Sequence, residues 1–186
     1  MTRLFATGLV FCWLTQAALA QGTNDVEKPI TMNPIGVVHS PYKKAKGTPI
    51  QGTLNETNAE AWVELKEKYV KGLKDLDGFS HAILLYHFHL SDREEIVGKP
   101  YLEAHEHGIF AMRSPHRPNH IGLSVVKIQK IEGHGLYFTE VDMLDGTPVL
   151  DIKPYVKQFD SRPDAVSGWI EEHYKDGQMP KQKTAK

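Results

Sequence analysis

Apolar residues along this chain fall in short runs broken by Gly, Pro and Asp, and most of the runs are strand-like in length. Pro34 to His39 reads PIGVVH and predicts a first strand, closed by Ser40-Pro41; residues 42–53 follow as a loop carrying Lys43, Lys44 and Lys46. From Glu60 to Leu73 the apolar residues Trp62, Leu65, Tyr69 and Leu73 recur at helical spacing with charges between them, which predicts an amphipathic helix ended by Asp77-Gly78. His81 to Leu90, HAILLYHFHL, is too apolar for an exposed strand and predicts a central one. Further strands are predicted over Ile109–Met112, Ile121–Ile131, Leu136–Met143 and the VLDI run at 149–152. Pro163 to Tyr174, within a C-terminal segment spanning 161–175, predicts a terminal helix with Pro at its start, and 176–186 a solvated tail. Strands outnumber helices and do not alternate with them. The expected fold is therefore mainly β, a small antiparallel or mixed β-barrel with one or two short helices.

The first 20 residues, MTRLFATGLVFCWLTQAALA, have the form of a secretory signal: Arg3, an apolar stretch, and a small-x-small site at Ala18-Leu19-Ala20. Cleavage after Ala20 leaves a flexible lead at 21–31 and a domain at 32–160, in a periplasmic or secreted protein with no stable membrane insertion. A start at Met32 would instead leave the protein cytoplasmic. Cleavage also removes Cys12, the one cysteine, which excludes disulfides, zinc–thiolate sites and a cysteine nucleophile from the mature chain. Loss of Arg3 takes the formal charge from −1 to −2, so there is no global attraction to nucleic acid or anionic lipid.

Chemistry concentrates in Ile109 to Ser124, IFAMRSPHRPNHIGLS. The prolines stiffen the backbone, and Arg113 and Arg117 carry planar forks suited to carboxylates or phosphates. The same residues suit a structural turn between strands. Seven of the ten histidines fall between positions 81 and 120. His87 and His89 share a face if the strand continues, as do His105 and His107, and with Glu103 or Glu106 they form a metal-binding alternative. Ser114 and Ser124 lie near histidines, but no G-x-S-x-G elbow exists. Neither standard nucleotide fingerprint is present. Asp142, Asp145 and Asp151 cluster around a turn, where Asp142 is expected to cap or shape the backbone.

Four stretches in this order, PIGVVHSPY at 34–42, GLKDLDGFSHAILLYHFH at 72–89, IFAMRSPHRPNHIGLSVV at 109–126 and DMLDGTPVLDIKPYV at 142–156, resemble the TsaA-like family. The resemblance covers roughly residues 32 to 160. It implies a non-Rossmann barrel working as a homodimer, and S-adenosylmethionine-dependent methylation of the exocyclic amine of threonylcarbamoyladenosine in tRNA. It carries cofactor contacts onto Pro49, Ile50 and Gln51, onto His89 and Leu90, onto Arg113 and Leu123, and onto Asp145, Gly146 and Thr147. Arg117, Asn119 and Lys153 are then available to substrate, while no catalytic residue is assigned. Met112 stands where the family usually has Thr, and His120 where it usually has Pro. The alternative is an exported binding module that takes a metal or small ligand through its histidines without methyl transfer.

Overall fold

Six strands with an inward-facing apolar parity close on one another as a wholly antiparallel barrel. They are β1 (Gly36–His39), β2 (Ala61–Leu65), β3 (His81–His87), β6 (Ile121–Glu132), β7 (Gly135–Thr139) and β8 (Pro148–Pro154), in the order β1-β2-β7-β6-β3-β8 and back to β1. A two-stranded hairpin, β4 (Val97–Gly98) with β5 (His107–Gly108), stands apart in the excursion between β3 and β6. The computed structural model describes residues 28–174 and 184–185. The export segment 1–20, most of the lead at 21–31 and most of the tail at 176–186 lie outside the described residues. Met1–Thr31 and Met32–Lys186 are separate units, and the barrel belongs to the second. Among the described residues no helix is long and apolar enough to cross a membrane.

The barrel interior is filled by the alternate residues of each strand. Val38, Val63, Ala82, Leu84, Val126, Leu136, Phe138 and Val149 are fully buried, as period-2 geometry requires. Gly122 sits directly across from Tyr86, and a Cβ there would lie 2.3 Å from the tyrosine ring. The glycine makes room for an inward tyrosine at this end of the barrel. Two register shifts, one at Leu85/Tyr86 and one at Ile128/Lys130, mark local irregularities in the closed sheet.

Four expected elements differ. The helix over 60–73 is replaced by β2 and a 3-10 helix at Glu67–Leu73. Ala61, Val63 and Leu65 point inward, while Trp62 lies on the outer face, stacked on His39 at 4.4 Å and on Tyr137 at 5.6 Å. The strand over 109–112 is a single 3-10 turn, Ile109–Ala111, with Ile109 buried and Phe110 exposed. The strand from 136 stops at Thr139, because Glu140 takes φ +62° and releases 140–147 as a loop. In place of a terminal helix there is a four-residue helix α1 (Lys157–Asp160) and a 3-10 helix at Gly168–His173, opened by Gly168 at φ +58°.

Candidate functional site

Antiparallel closure gathers the C-terminal ends of β1, β3 and β7 and the N-terminal ends of β2, β6 and β8 at one end of the barrel. The loops leaving that end carry most of the candidate residues. Gln51 precedes a 3-10 turn at Gly52–Leu54, and its side-chain carbonyl accepts a hydrogen bond from Arg113 Nη1 at 2.9 Å. Arg113 is exposed, with its fork at the surface.

Beneath it lies a polar group within the barrel mouth. Ser124, on the inward face of β6, donates through Oγ to Asp142 Oδ1 at 2.7 Å and lies 3.0 Å from the Tyr86 hydroxyl. The Gly52 N–H donates to Asp142 Oδ2 at 2.9 Å. Burial pushes the Asp142 carboxyl up to about 6 against the pull of Ser124, Gly52 and the Arg113 charge. The Tyr86 phenol is likewise held neutral, by burial first and the Asp142 charge second.

Asp145 occupies the turn five residues after the left-handed Glu140. Its Oδ1 accepts from the Ser40 N–H at 3.0 Å and its Oδ2 pairs with Lys43 Nζ at 2.7 Å. Lys43, then Ser40, hold this carboxyl below the usual carboxylate range. Gly146 follows at φ +77°, its N–H donating to the Val38 carbonyl; a Cβ on it would come 3.7 Å from His89 Nε2. Thr147 is buried, with Oγ1 donating to Leu144. Burial, then the neighbouring His87, lowers the His89 imidazole.

Most of the expected cofactor residues thus border one end of the barrel: Ile50 and Gln51, with Pro49 buried behind them and bridged to Thr184, then His89 and Leu90, Arg113, and Asp145 to Thr147. Leu123 does not join them within one chain. It faces outward on β6, opposite Leu85, and is 45% exposed. Arg117 donates to the Met112 carbonyl at 3.0 Å and so holds its own loop; Asn119 and His120 take positive φ there, which a proline at 120 could not adopt. Lys153 pairs with Asp151 on β8. Met112 is buried, in keeping with a packing role.

The histidines of the metal alternative are not brought together. β3 ends at His87, and the His89 N–H turns back onto the His87 carbonyl, so the two do not continue one strand face. His87 meets the His120 ring, His105 is exposed, and His107 bonds Glu103. Among the described residues no group of three or more His, Cys, Asp or Glu is arranged to hold a metal ion.

Asp142, Ser124 and Tyr86 are absent from the expected site. The available signal was parity: Gly122, Ser124 and Val126 share the inward face of β6, and Asp142 stands between buried Val141 and Met143. A polar side chain on such a face needs partners.

A closed six-stranded antiparallel barrel with an arginine and two differently tuned carboxylates at one mouth is a small β-barrel binding domain, distinct from a doubly wound nucleotide fold. The family described as tRNA-methyltransferase O N-terminal domain matches residues 37–161, and the chain belongs to it. It is 46% identical over 144 residues to a probable S-adenosyl-L-methionine-binding protein of Pyrococcus abyssi, covering 77% of this chain and 78% of that protein. Over 157 residues it is 37% identical to the tRNA (adenine(37)-N6)-methyltransferase of Mus musculus, covering 81% of this chain and 35% of that one. The crystal structure of TrmO from Pseudomonas aeruginosa superposes with a TM-score of 0.65 at 36% identity, covering 76% of this chain and 63% of that chain. The chain therefore spans about a third of the mouse enzyme and less than two thirds of the solved bacterial one.

Proposed function

We propose that this chain binds S-adenosylmethionine at the barrel mouth and acts as a methyltransferase on the exocyclic amine of an adenosine in tRNA. The carrying observation is the exposed Arg113 fork, held by Gln51 near Asp142 at the barrel end that also carries the Asp145–Thr147 turn, inside the region that matches the family. The donor set suits the cofactor. Arg113 can clamp a carboxylate through charge-assisted hydrogen bonds. Asp145, ionised well below neutral pH, can accept from a hydroxyl or amine. Gly146 lets a ligand approach the backbone closely, and Leu90, 61% exposed, offers apolar cover for a planar ring.

When bound, the cofactor supplies a methyl group on a sulfonium centre. The chain's own part is placement: transfer from such a donor depends chiefly on in-line alignment with the acceptor. Arg113 and Asp145 would hold polar groups of the ligand, and exposed Leu90 would help exclude water from it. Arg117 and Asn119 lie in the loop that enters β6 at the mouth, where an RNA backbone could reach them, whereas Lys153 stands opposite Ile83 towards the other end of the barrel. Calorimetric titration of the folded protein with S-adenosylmethionine tests binding, and absence of heat at millimolar ligand sinks the reading. Transfer of a labelled methyl group to tRNA tests the reaction.

We further propose that the protein works as a homodimer. Ile121 and Leu123 are exposed on the outer face of β6, where they pair with His87 and Leu85, so this face is apolar and Leu123 can serve a site only across a subunit boundary. Sedimentation of Leu123→Asp against the wild type tests this, the charged variant being expected as a monomer. The signal-like segment at 1–20 supports export with cleavage after Ala20. N-terminal sequencing of the protein from separated cell fractions decides among Gln21 outside the cytoplasm and Met1 or Met32 within it.

A further inference from the structure

Four segments distant in sequence meet on the carboxyl group of Asp142. Gly52 and Ser124 donate to its two oxygens, Tyr86 adjoins Ser124, and the Arg113 guanidinium stands close enough to favour its charge. Gly52 comes this near only because it lacks a side chain: a Cβ would sit 2.0 Å from the Glu140 carbonyl oxygen. Hydrogen-bond matching favours the ionised carboxylate. Tyr86 can donate to Ser124, Ser124 to Oδ1 and Gly52 to Oδ2, and every donor then has an acceptor. A proton on Asp142 adds a donor to this chain, so Ser124 or Tyr86 must turn from its partner.

We propose that Asp142 is a positioning residue of the cofactor site: its carboxylate fixes the backbone at Gly52, hence the Gln51 carbonyl that holds Arg113, and its charge keeps the guanidinium at the barrel mouth. The inference rests on the reading of this mouth as an S-adenosylmethionine site. The charged and titratable groups facing Asp142 are Tyr86 from β3 and Arg113 from the segment before β6; Ser124 and Gly52 contribute neutral donors. Because burial brings Asp142 up to about 6, its charge can be removed at a mildly acidic pH that leaves Arg113 and Tyr86 unchanged in charge.

The test is calorimetric titration of the full chain with S-adenosylhomocysteine between about pH 5 and pH 8, for wild type, Asp142→Asn and Ser124→Ala, with the fold checked by circular dichroism. Wild-type affinity should fall by up to about tenfold per pH unit below the Asp142 midpoint. Asp142→Asn should bind about tenfold more weakly at pH 7.5, the order expected for one lost charge-assisted contact, and lose that decline. Whatever pH dependence remains in the variant belongs to groups other than Asp142. Ser124→Ala keeps the carboxylate but removes a donor to it, so the midpoint should move upward, which a merely structural role does not produce. In the ligand-free protein the Gly52 amide resonance should titrate with the same midpoint. Variants that match the wild type at every pH, or a Gly52 amide indifferent to pH, overturn the role of Asp142 while leaving the cofactor reading intact. A wild type that binds at no pH overturns the cofactor reading and the role built on it. Should Asp142→Asn fail to fold, the Ser124→Ala midpoint and the Gly52 titration decide alone.

Discussion

Arg113 Nη1 donates to Gln51 Oε1 across 2.9 Å, joining two residues 62 positions apart in the chain. The bond orients an exposed guanidinium through a neutral partner, while the nearby carboxylate of Asp142 is buried with its oxygens taken by Ser124 and Gly52. Such an arginine is pre-set for an anionic group of a ligand.

Arg113→Lys is therefore not conservative. The ammonium keeps the charge but not the planar fork, and affinity for S-adenosylmethionine should drop about tenfold or more, as for loss of a hydrogen bond to a charged group. Stability should stay within about 0.5 kcal/mol of wild type, because the side chain is exposed. Calorimetry and thermal melts on the same variant separate the two. A stability loss that accounts for the weaker binding would show the arginine to be structural.

Gly122→Ala tests the packing beneath the site. The added Cβ would meet the Tyr86 ring at 2.3 Å, and Tyr86 is a core residue with its hydroxyl in the Ser124–Asp142 network. Overpacking of this kind costs roughly 1–3 kcal/mol. Denaturant melts should show that loss, and the double variant with Tyr86→Leu should recover part of it. Equal losses in the single and double variants would mean that the ring is not what the glycine accommodates.

Strand parity makes much of the barrel legible: PIGVVH and HAILLYH place alternate apolar residues where the structure buries them, whereas IGLSVV turns Gly122, Ser124 and Val126 inward and leaves Ile121 and Leu123 exposed. The same parity was hidden in β2, because Leu65 belongs both to the strand series Ala61, Val63, Leu65 and to a helical series with Trp62 and Tyr69. Alanine gives little apolar signal, and Trp62 is outward because it stacks on its cross-strand neighbours His39 and Tyr137. Arg113 and Asp145 stand out by residue type and motif. Asp142 does not, since its role depends on Gly52 and Ser124, which only the closed sheet brings to it.

The C-terminal 3-10 helix is held by a small aromatic clasp. Trp169 stacks on His107 at 4.5 Å, donates its indole N–H to the Ala111 carbonyl at 2.9 Å, and meets His173 edge-on. Glu103 accepts from both imidazoles, and His107 above all, with His173, holds its carboxyl below the ordinary range. Trp169→Ala should free residues 168–173 and raise hydrogen exchange at 103–111, at a cost of about 1 kcal/mol for the lost ring contact. The pH sign follows from the lowered carboxyl: the clasp contributes fully above the ordinary Glu range and weakens as pH falls through its depressed value. Trp169 fluorescence in a Trp13→Phe, Trp62→Phe background, where it is the one remaining tryptophan, should report release only in acid. Release on raising the pH from 5 to 8 would contradict this assignment.

Asp142 gives fold stability and ligand affinity opposite pH dependences. Its carboxyl stands at about 6 in the fold against 3.8 in an open chain, so the folded protein binds this proton more tightly than the unfolded one. That contribution is complete below the unfolded value, declines as pH rises through about 6, and is absent above it. The full span is on the order of 3 kcal/mol before solvent screening reduces it. Ligand affinity should instead rise over the upper part of this window, as the charge that holds Gly52 and Arg113 appears. Melting midpoints of the ligand-free protein should therefore fall between about pH 4 and pH 6.5 relative to Asp142→Asn, which cannot titrate there. If wild type and variant keep a constant difference across that range, the carboxyl is ionised throughout, and burial does not outweigh Ser124, Gly52 and Arg113.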